Sequence, residues 1–242
     1  MELQMCRGNL VIVHFFGRKA HDMTINTEDL LNSILESLGR IEYIRAEDIP
    51  DIDLYMDQVT TFMGTHLKHS TRNPEEDKIL TKTMINNYAK NDLLPPPVKK
   101  KYSKEHVMLL IFIYYYKGIL SINDIQQLLR PITVRFFNTA GDYGLENIYE
   151  EAFGLEKEHI DLLKQDIMEK FRRSEQTYQD APQDDRDFLQ TFAFICMLSF
   201  DVYVKKLLIE KMIDGMRKEE PGRSDKKQKS KTEGKNGAGS DI

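Results

Sequence analysis

Hydrophobic residues recur at helical spacing through most of the chain. Between Thr27 and Leu38 the leucines and Ile34 fall on one face, Asn26 or Thr27 can cap the start, and Gly39 can end the helix. The same spacing predicts further helices over residues 54–63, 81–90, 104–117, 122–130, 146–178 and 187–216. Because no segment shows the alternation of a half-buried strand, we predict a mainly α-helical protein.

Prolines and glycines mark the breaks between these predicted helices. The run Pro95–Pro97 forbids continuation of the helix over 81–90, and we predict an extended segment over Val98–Tyr102. The polar segment Gly64–Lys78 contains a proline and is predicted to be a loop. Residues 132–145 contain two glycines and are predicted to be a connector.

The two ends of the chain differ from the rest. Residues 1–22 include the apolar run LVIVHFF, which can form a short edge strand or lie upstream of a true start at Met23. No small-residue cleavage site follows the run, so we do not predict a secretory signal. Residues 221–242 are rich in Lys, Ser and Gly without apolar periodicity, and we predict a disordered basic tail.

Composition excludes several classes of protein. Hydrophobic residues make up 40% of the chain and charged residues 30%, as in an ordinary globular protein with a core. Cys6 and Cys196 stand alone, so we expect neither a disulfide framework nor a thiolate zinc site, and a reducing cytoplasm fits best. The longest apolar stretch, Phe188–Val204, is interrupted by polar residues and is shorter than a membrane-spanning helix needs.

The charge of the chain is unevenly distributed. The formal net charge is −5, yet residues 68–104 hold nine basic residues against four acidic ones, which gives a local charge of +5. The basic residues are Lys68, Arg72, Lys78, Lys82, Lys90, Lys99, Lys100, Lys101 and Lys104. A local basic excess is typical of a surface that binds nucleic acid.

The helix predicted over 81–90 lies within this basic region and has two different faces. Thr81 can cap its start, and Met84, Ile85 and Tyr88 point inward. The outward positions are Lys82, Thr83, Asn86, Asn87 and Lys90. Three consecutive lysines follow the prolines, so hydrogen-bonding side chains precede a cationic segment. A DNA-binding winged helix needs both, one set for the groove and one for the phosphates.

Three ordered motifs resemble the MerR-type winged helix-turn-helix. They are Ile85–Pro96 (INNYAKNDLLPP), Lys101-Tyr102-Ser103 and Leu120–Ile125 (LSINDI). In that family a recognition helix ends in a Leu-Leu-x-Pro turn, a basic wing ends in Tyr-Ser, and a two-helix unit closes with Ser-(Leu/Ile)-x-x-Ile. Tyr55–Met63 would be the first helix of the pair. The chain also resembles an uncharacterised bacterial family that joins this domain to a helical C-terminal half.

The resemblance implies a bacterial transcription regulator that binds double-stranded operator DNA as a homodimer. A recognition helix over about 81–90 and a basic wing over about 97–102 would supply the contacts. The implied DNA-binding residues are Thr81, Lys82, Thr83, Asn86, Asn87, Lys90, Lys99, Lys100, Lys101 and Tyr102. Asparagine can pair with adenine in the major groove, and each lysine near a phosphate adds salt-dependent affinity.

We therefore predict an all-α fold with a small β-wing, divided into four parts. These are an N-terminal extension and helix (1–48), the DNA-binding domain (49–131), a helical domain for dimerisation and a small-molecule effector (132–220), and the tail (221–242). The helix over 187–216 is apolar on several faces, so a partner subunit would cover what one neighbouring helix cannot.

The sequence also departs from the family pattern. Asn86-Asn87 stand where the family often has Arg-Tyr, Gly64–Lys78 is longer than the usual turn, and two helical segments replace one long dimerising helix. We expect no enzymatic activity, no cofactor and no metal ion, since His66 and His69 have ligand spacing without a nearby third ligand. The alternative function is a protein-interaction adaptor that keeps the winged fold without sequence-specific DNA binding.

Overall fold

The computed structural model describes residues 27–38, 44–71, 73, 76, 79–139 and 143–218, and the expectations for the two chain ends lie outside these residues. The described residues are mostly helical and contain one two-stranded antiparallel sheet, which confirms the predicted mainly α-helical fold. The elements are α1 (Thr27–Leu38), β1 (Leu54–Tyr55), α2 (Met56–Leu67), α3 (Lys82–Lys90), β2 (Lys101–Tyr102), α4 (Lys104–Tyr116), α5 (Ile122–Phe136), α6 (Leu145–Glu175) and α7 (Gln183–Lys218).

Helix α4 lies at the centre of the hydrophobic core. Every residue from His106 to Ile113 is buried, so this helix is covered on all sides. Because its sequence is apolar all round, it requires such covering. Strand β2 and helices α5 and α6 contact it directly. The hydroxyl of Tyr149 in α6 donates a hydrogen bond of 2.5 Å to the carbonyl oxygen of Ile44, which ties the segment before β1 to the same core.

Helix α2 differs from its predicted bounds at both ends. We predicted a helix over 54–63 followed by a loop from Gly64, but residues 54–55 form β1 and α2 continues to Leu67. Met63 and Leu67, four residues apart, are both buried against the core. Their burial offsets the cost of about 1 kcal/mol that a glycine imposes inside a helix.

Helix α5 also extends beyond its predicted end. We predicted that it stops at Arg130, before Pro131, but the helix includes Pro131 and ends at Phe136. Proline removes one backbone N–H and crowds the preceding turn, so packing must offset that cost. Leu129 is buried, and Ile132 packs against the core on the following turn. The boundary predicted between residues 131 and 132 therefore falls inside a helix.

Helices α6 and α7 form a long antiparallel hairpin close to the predicted segments. The rings of Phe171 and Phe194 meet edge to face with centroids 5.5 Å apart. Nζ of Lys170 lies 2.8 Å from a carboxylate oxygen of Asp201 across the two helices. Within the described part of the chain, no helix combines the length and apolar character that crossing a membrane demands.

Candidate nucleic-acid interface

Helix α3 begins where its sequence predicted. The Thr81 side-chain oxygen accepts a hydrogen bond from the backbone N–H of Met84 at 3.2 Å, as an N-cap residue does. Ile85 and Tyr88 are buried, and Met84 is half-buried against the core. Thr81 is therefore engaged in capping the helix, and the predicted inward face is confirmed.

The outward face of α3 is open to solvent. Lys82, Thr83, Asn86, Asn87 and Lys90 are all exposed. Among the described residues, the side-chain amides of Asn86 and Asn87 have no hydrogen-bond partner. The backbone carbonyl oxygen of Asn87 accepts from the side chain of Asn91 at 2.8 Å and from its backbone N–H at 3.0 Å. Two neighbouring amides without internal partners can donate and accept hydrogen bonds with an external polymer.

The lysine run forms the tip of a tight hairpin. Val98 and Lys101 exchange backbone hydrogen bonds of 3.1 and 2.9 Å, which leaves Lys99 and Lys100 as a two-residue turn. Both turn residues have positive φ, 50° and 65°, as a type I′ turn requires. The predicted extended segment over Val98–Tyr102 is thus corrected to a hairpin. Lys99 and Lys100 are exposed at its tip.

The short sheet joins this hairpin to the start of α2. Leu54 pairs with Tyr102 and Tyr55 with Lys101, and Nζ of Lys101 lies 5.2 Å from the centre of the Tyr55 ring. Alternate residues of a strand point to opposite sides, so Lys101 faces outward while Tyr102 is buried. Burial raises the pKa of Tyr102. The structure therefore does not place Tyr102 with the exposed residues that the sequence grouped it with.

The start of α2 connects α3 to the hairpin. The ammonium group of Lys82, the first residue of α3, contacts a carboxylate oxygen of Asp57 in the first turn of α2. Two residues earlier, Tyr55 is paired with Lys101. These contacts join the start of α3 and the hairpin to one short segment. We call the outward residues of α3 and of the hairpin together the basic face; it comprises Lys82, Thr83, Asn86, Asn87, Lys90, Lys99, Lys100 and Lys101.

Lys117, directly after α4, and Gln126 of α5 bond the segments that flank α3. The ammonium group of Lys117 donates to the carbonyl oxygen of Ile79, just before α3, at 2.7 Å. Burial lowers the pKa of Lys117, whose Nζ also lies 4.5 Å from the ring centre of Tyr114. At the other end, the Gln126 side chain donates to the carbonyl oxygen of Asn91 at 2.7 Å. No local pattern predicts these contacts, because each joins residues far apart in the chain.

Lys104 does not belong to the basic face, although the sequence count included it. Its ammonium group lies 2.9 Å from the Asp51 carboxylate and 2.8 Å from that of Glu146. Burial alone would lower the pKa of Lys104, but the hydrogen bonds to Glu146 and Asp51 reverse this effect, and the pKa is raised. Its charge is thus neutralised within the protein and is not available to an external anion.

The buried side chain of His106 contacts Tyr102 and Ser103, which directly follow the hairpin. Nδ1 of His106 accepts a hydrogen bond of 3.0 Å from the backbone N–H of Ser103, at the start of α4. The ring meets Tyr102 and Phe137 edge to face, with centroids 5.5 and 4.8 Å away. Nε2 is buried without a hydrogen bond among the described groups. Burial lowers the pKa of His106, an effect that the nearby carbonyl groups of Pro96 and Pro95 partly oppose.

The described residues contain no group of three His, Cys, Asp or Glu side chains arranged to hold a metal ion. His66 lies on the last turn of α2 rather than in the loop that we predicted. The described part of the chain has one free thiol, on the exposed Cys196 of α7.

One family model matches the region of the chain that contains the basic face. Searches of the curated proteins and of the solved structures returned no match. Residues 44–152 match the family model described as "Domain of unknown function (DUF1836)". The match begins before β1 and ends within α6, so it includes α2 to α5 and the short sheet. The match is consistent with the resemblance to an uncharacterised family.

Proposed function

We propose that this chain is a DNA-binding transcription regulator, with α2 and α3 as a helix-turn-helix and the hairpin Val98–Lys101 as its wing. In this proposal α3 enters the major groove of double-stranded DNA. Asn86 and Asn87 contact base edges, since an asparagine amide can pair with both N6 and N7 of adenine. Lys99 and Lys100 contact the phosphates beside the groove.

The observation that carries the proposal is the arrangement of the basic face on one rigid support. The exposed amides of Asn86 and Asn87 lie on a helix that is capped, anchored at both ends and joined through Asp57 to the start of α2. The hairpin is bonded to the same segment through Tyr55. Groups that read bases must be held in a fixed relation to groups that hold phosphates, and this support supplies that relation.

The charge of the basic face fits a polyanion. Five lysines lie on it, and Asp57 is the carboxylate that contacts one of them. Since each phosphate neutralised contributes about −0.9 to the slope of log K against log salt, four to five contacts predict a slope of roughly −4 per domain. The overall charge of −5 does not oppose this, because salt screens the interaction between exposed charges beyond a Debye length, which is about 8 Å at physiological ionic strength.

A second candidate is favoured by one observation. Tyr55 and Val98, which flank Lys101 on the outer side of the sheet, are 55% and 68% exposed. Exposed apolar side chains beside a wing can contact a protein partner, as the adaptor hypothesis requires. An adaptor would bind its partner with little dependence on salt and would show no preference among DNA sequences.

A titration of the full chain against labelled genomic fragments distinguishes these functions. Fluorescence anisotropy between 50 and 300 mM salt should give complexes at nanomolar to micromolar protein, with a salt slope and a preference among fragments. The test variant replaces Lys99 and Lys100 by alanine. The matched control replaces Lys164 and Arg172 on α6 by alanine. Only the first should weaken binding. Absence of any salt-sensitive, sequence-preferring complex up to micromolar protein would reject the proposal.

The proposal carries the remaining expectations with it. A DNA-binding regulator must be in the same compartment as its DNA, so we also propose a cytoplasmic location. An effector site and the absence of enzymatic activity also remain predictions. An activity screen together with ligand-dependent changes in DNA affinity would test both.

A further inference from the structure

Helix α7 carries an exposed apolar surface that the proposed DNA site does not use. Between residues 188 and 200, six positions are exposed, and they recur at helical spacing: Phe188, Phe192, Ile195, Cys196, Ser199 and Phe200. Phe188 is 71% and Phe200 66% exposed. A surface helix normally turns its apolar side inward and its polar side outward. Here the exposed side is apolar, which indicates a surface made to be covered.

The neighbouring helix cannot cover this surface, because it occupies another side of α7. Helix α6 contacts α7 through Phe194 and Asp201, and the side chain of Gln190 donates to the Glu175 carbonyl oxygen at 2.7 Å. At 100° per residue, these contact positions lie roughly 160° from the centre of the exposed surface. From Phe188 to Phe200, α7 is therefore covered by α6 on one side and open on the other.

The exposed positions on this face of α7 have an internal symmetry. Residues 202–209 are exposed on every side of the helix, and of these Tyr203 and Leu207 continue the same face. With them, the six positions form a set of eight residues that we call the apolar stripe. Reversing the direction of the helix about the point between Met197 and Leu198 maps the stripe onto itself. The resulting pairs are Phe188 with Leu207, Phe192 with Tyr203, Ile195 with Phe200, and Cys196 with Ser199. A second copy of α7, running in the opposite direction, would thus meet the stripe with the same stripe.

The charges at the two ends of the stripe favour the antiparallel direction. Residues 184–187 (DDRD) carry a net charge of −2, whereas residues 205–211 (KKLLIEK) carry +2. An antiparallel pair places each acidic end beside a basic end, and the reversal brings Asp184 opposite Lys211. A parallel pair would place like charges together at both ends, which is unfavourable.

The size of the stripe is sufficient for a specific interface. Four of its residues are aromatic and at least half exposed. Since a buried aromatic side chain covers about 150–250 Å², these four alone would bury roughly 500 Å² per copy, about 1,000 Å² in total. Specific interfaces begin at about this total area, and monomers rarely leave so large an apolar patch in water.

We propose that the apolar stripe of α7 is the docking surface for α7 of a second copy of this chain, packed antiparallel with a twofold axis between Met197 and Leu198. This inference rests on α7 alone and does not depend on DNA binding. It makes the α6–α7 hairpin one half of a four-helix interface. It also places the two Cys196 thiols near the axis and the two Asp184 residues at opposite ends, about 40 Å apart along the helices.

The first test measures the oligomeric state of the full chain by sedimentation equilibrium. The unchanged chain should be a dimer. Phe192→Glu places two desolvated carboxylates in the interface and should raise the dimer dissociation constant at least about 30-fold. Leu208→Glu is the control, because Leu208 is 60% exposed but points about 150° away from the stripe. Equal dissociation constants for the two variants, with helicity unchanged by circular dichroism, would overturn the proposal.

The second test needs no disruptive substitution and reports direction. A bis-maleimide with a spacer of about one interhelical distance, ~10 Å, should cross-link the Cys6→Ser chain through Cys196 into a covalent dimer. In a Cys6→Ser/Cys196→Ser background, Asp184→Cys and Lys211→Cys should each give no cross-link alone but should cross-link together. Cross-linking of Asp184→Cys with itself would indicate a parallel pair and overturn the proposal. A monomer at all concentrations would overturn it too, whatever the DNA titration shows.

Discussion

Lys82, the first residue of α3, contacts the carboxylate of Asp57 in the first turn of α2. Both side chains are well exposed, so the pair adds little to stability. The contact shows that the start of the proposed recognition helix lies beside the segment that also bears the hairpin. It also places a carboxylate on a surface that is otherwise basic.

Asp57→Asn should therefore strengthen DNA binding without selecting among sequences. The substitution removes a charge that repels phosphate and frees Lys82, so the salt slope should steepen by up to about 0.9. Anisotropy titrations on a preferred and a random fragment would measure this. Glu150→Gln on α6 removes an exposed acid elsewhere and should change neither value. Weaker binding by Asp57→Asn to both fragments would show that the ion pair is needed to position α3.

The two kinds of residue on the basic face should respond differently to substitution. Lys99→Ala should weaken binding to all sequences alike and flatten the salt slope by about 1, because a phosphate contact carries no sequence information. Asn86→Ala should instead cost about 1–3 kcal/mol on the preferred fragment and relax the preference at one base pair. Fragment selection followed by sequencing with each variant would measure both effects. The opposite pattern would reject the assigned roles.

Local signals in the sequence predicted the parts of the fold that local interactions determine. Thr81 caps α3 and Ser121 caps α5, because each side chain bonds a backbone N–H three residues further on. The alternation of buried and exposed positions in α3 likewise follows from helical spacing alone. These elements could be read from the sequence because their causes lie within one or two turns.

The errors arose where distant contacts override local preference. Gly64 and Pro131 disfavour helix, yet both lie inside helices whose neighbouring residues are buried in the core. The turn at Lys99-Lys100 lacks the glycine or asparagine that usually marks positive φ. Lys104 lies in the basic stretch of the sequence, but in the structure it pairs with two carboxylates, 53 and 42 residues away in the chain.

The cap at Thr81 separates a structural role from the DNA contact that the sequence assigned to it. Thr81→Ala should lower the free energy of unfolding by about 1 kcal/mol, since the Met84 N–H loses its partner. Thr81→Ser keeps the oxygen and should lose little. Urea unfolding of both variants would measure the difference, and Thr83→Ala, exposed on the same turn, is the control. Equal stability of Thr81→Ala and the unchanged chain would contradict the cap.

His106 should make stability depend on pH in the acidic range. Burial lowers its folded pKa below the ordinary value of 6.5, so the unfolded chain binds the proton more readily than the folded one. Stability is fully present above about 6.5 and falls as the pH drops below that value. Urea midpoints between pH 8 and 5 would follow this decrease. His106→Gln keeps an acceptor for the Ser103 N–H but cannot be protonated, so its profile should be flatter. An unchanged slope would assign the effect to other groups.

The hairpin tip should be more stable with the residues that a type I′ turn prefers. Lys99→Asn/Lys100→Gly relieves two positive-φ lysines and should raise the free energy of unfolding by about 1 kcal/mol or more. Lys99→Ala/Lys100→Ala removes the same two charges but retains the strain, so its stability should be close to that of the unchanged chain. Both variants should lose DNA affinity to the same extent, because each lacks the two lysines. If the Asn-Gly variant alone kept full affinity, the backbone of the turn, and not its charges, would make the contact. Urea unfolding and anisotropy on the same three proteins separate the cost of the turn from the benefit of its lysines.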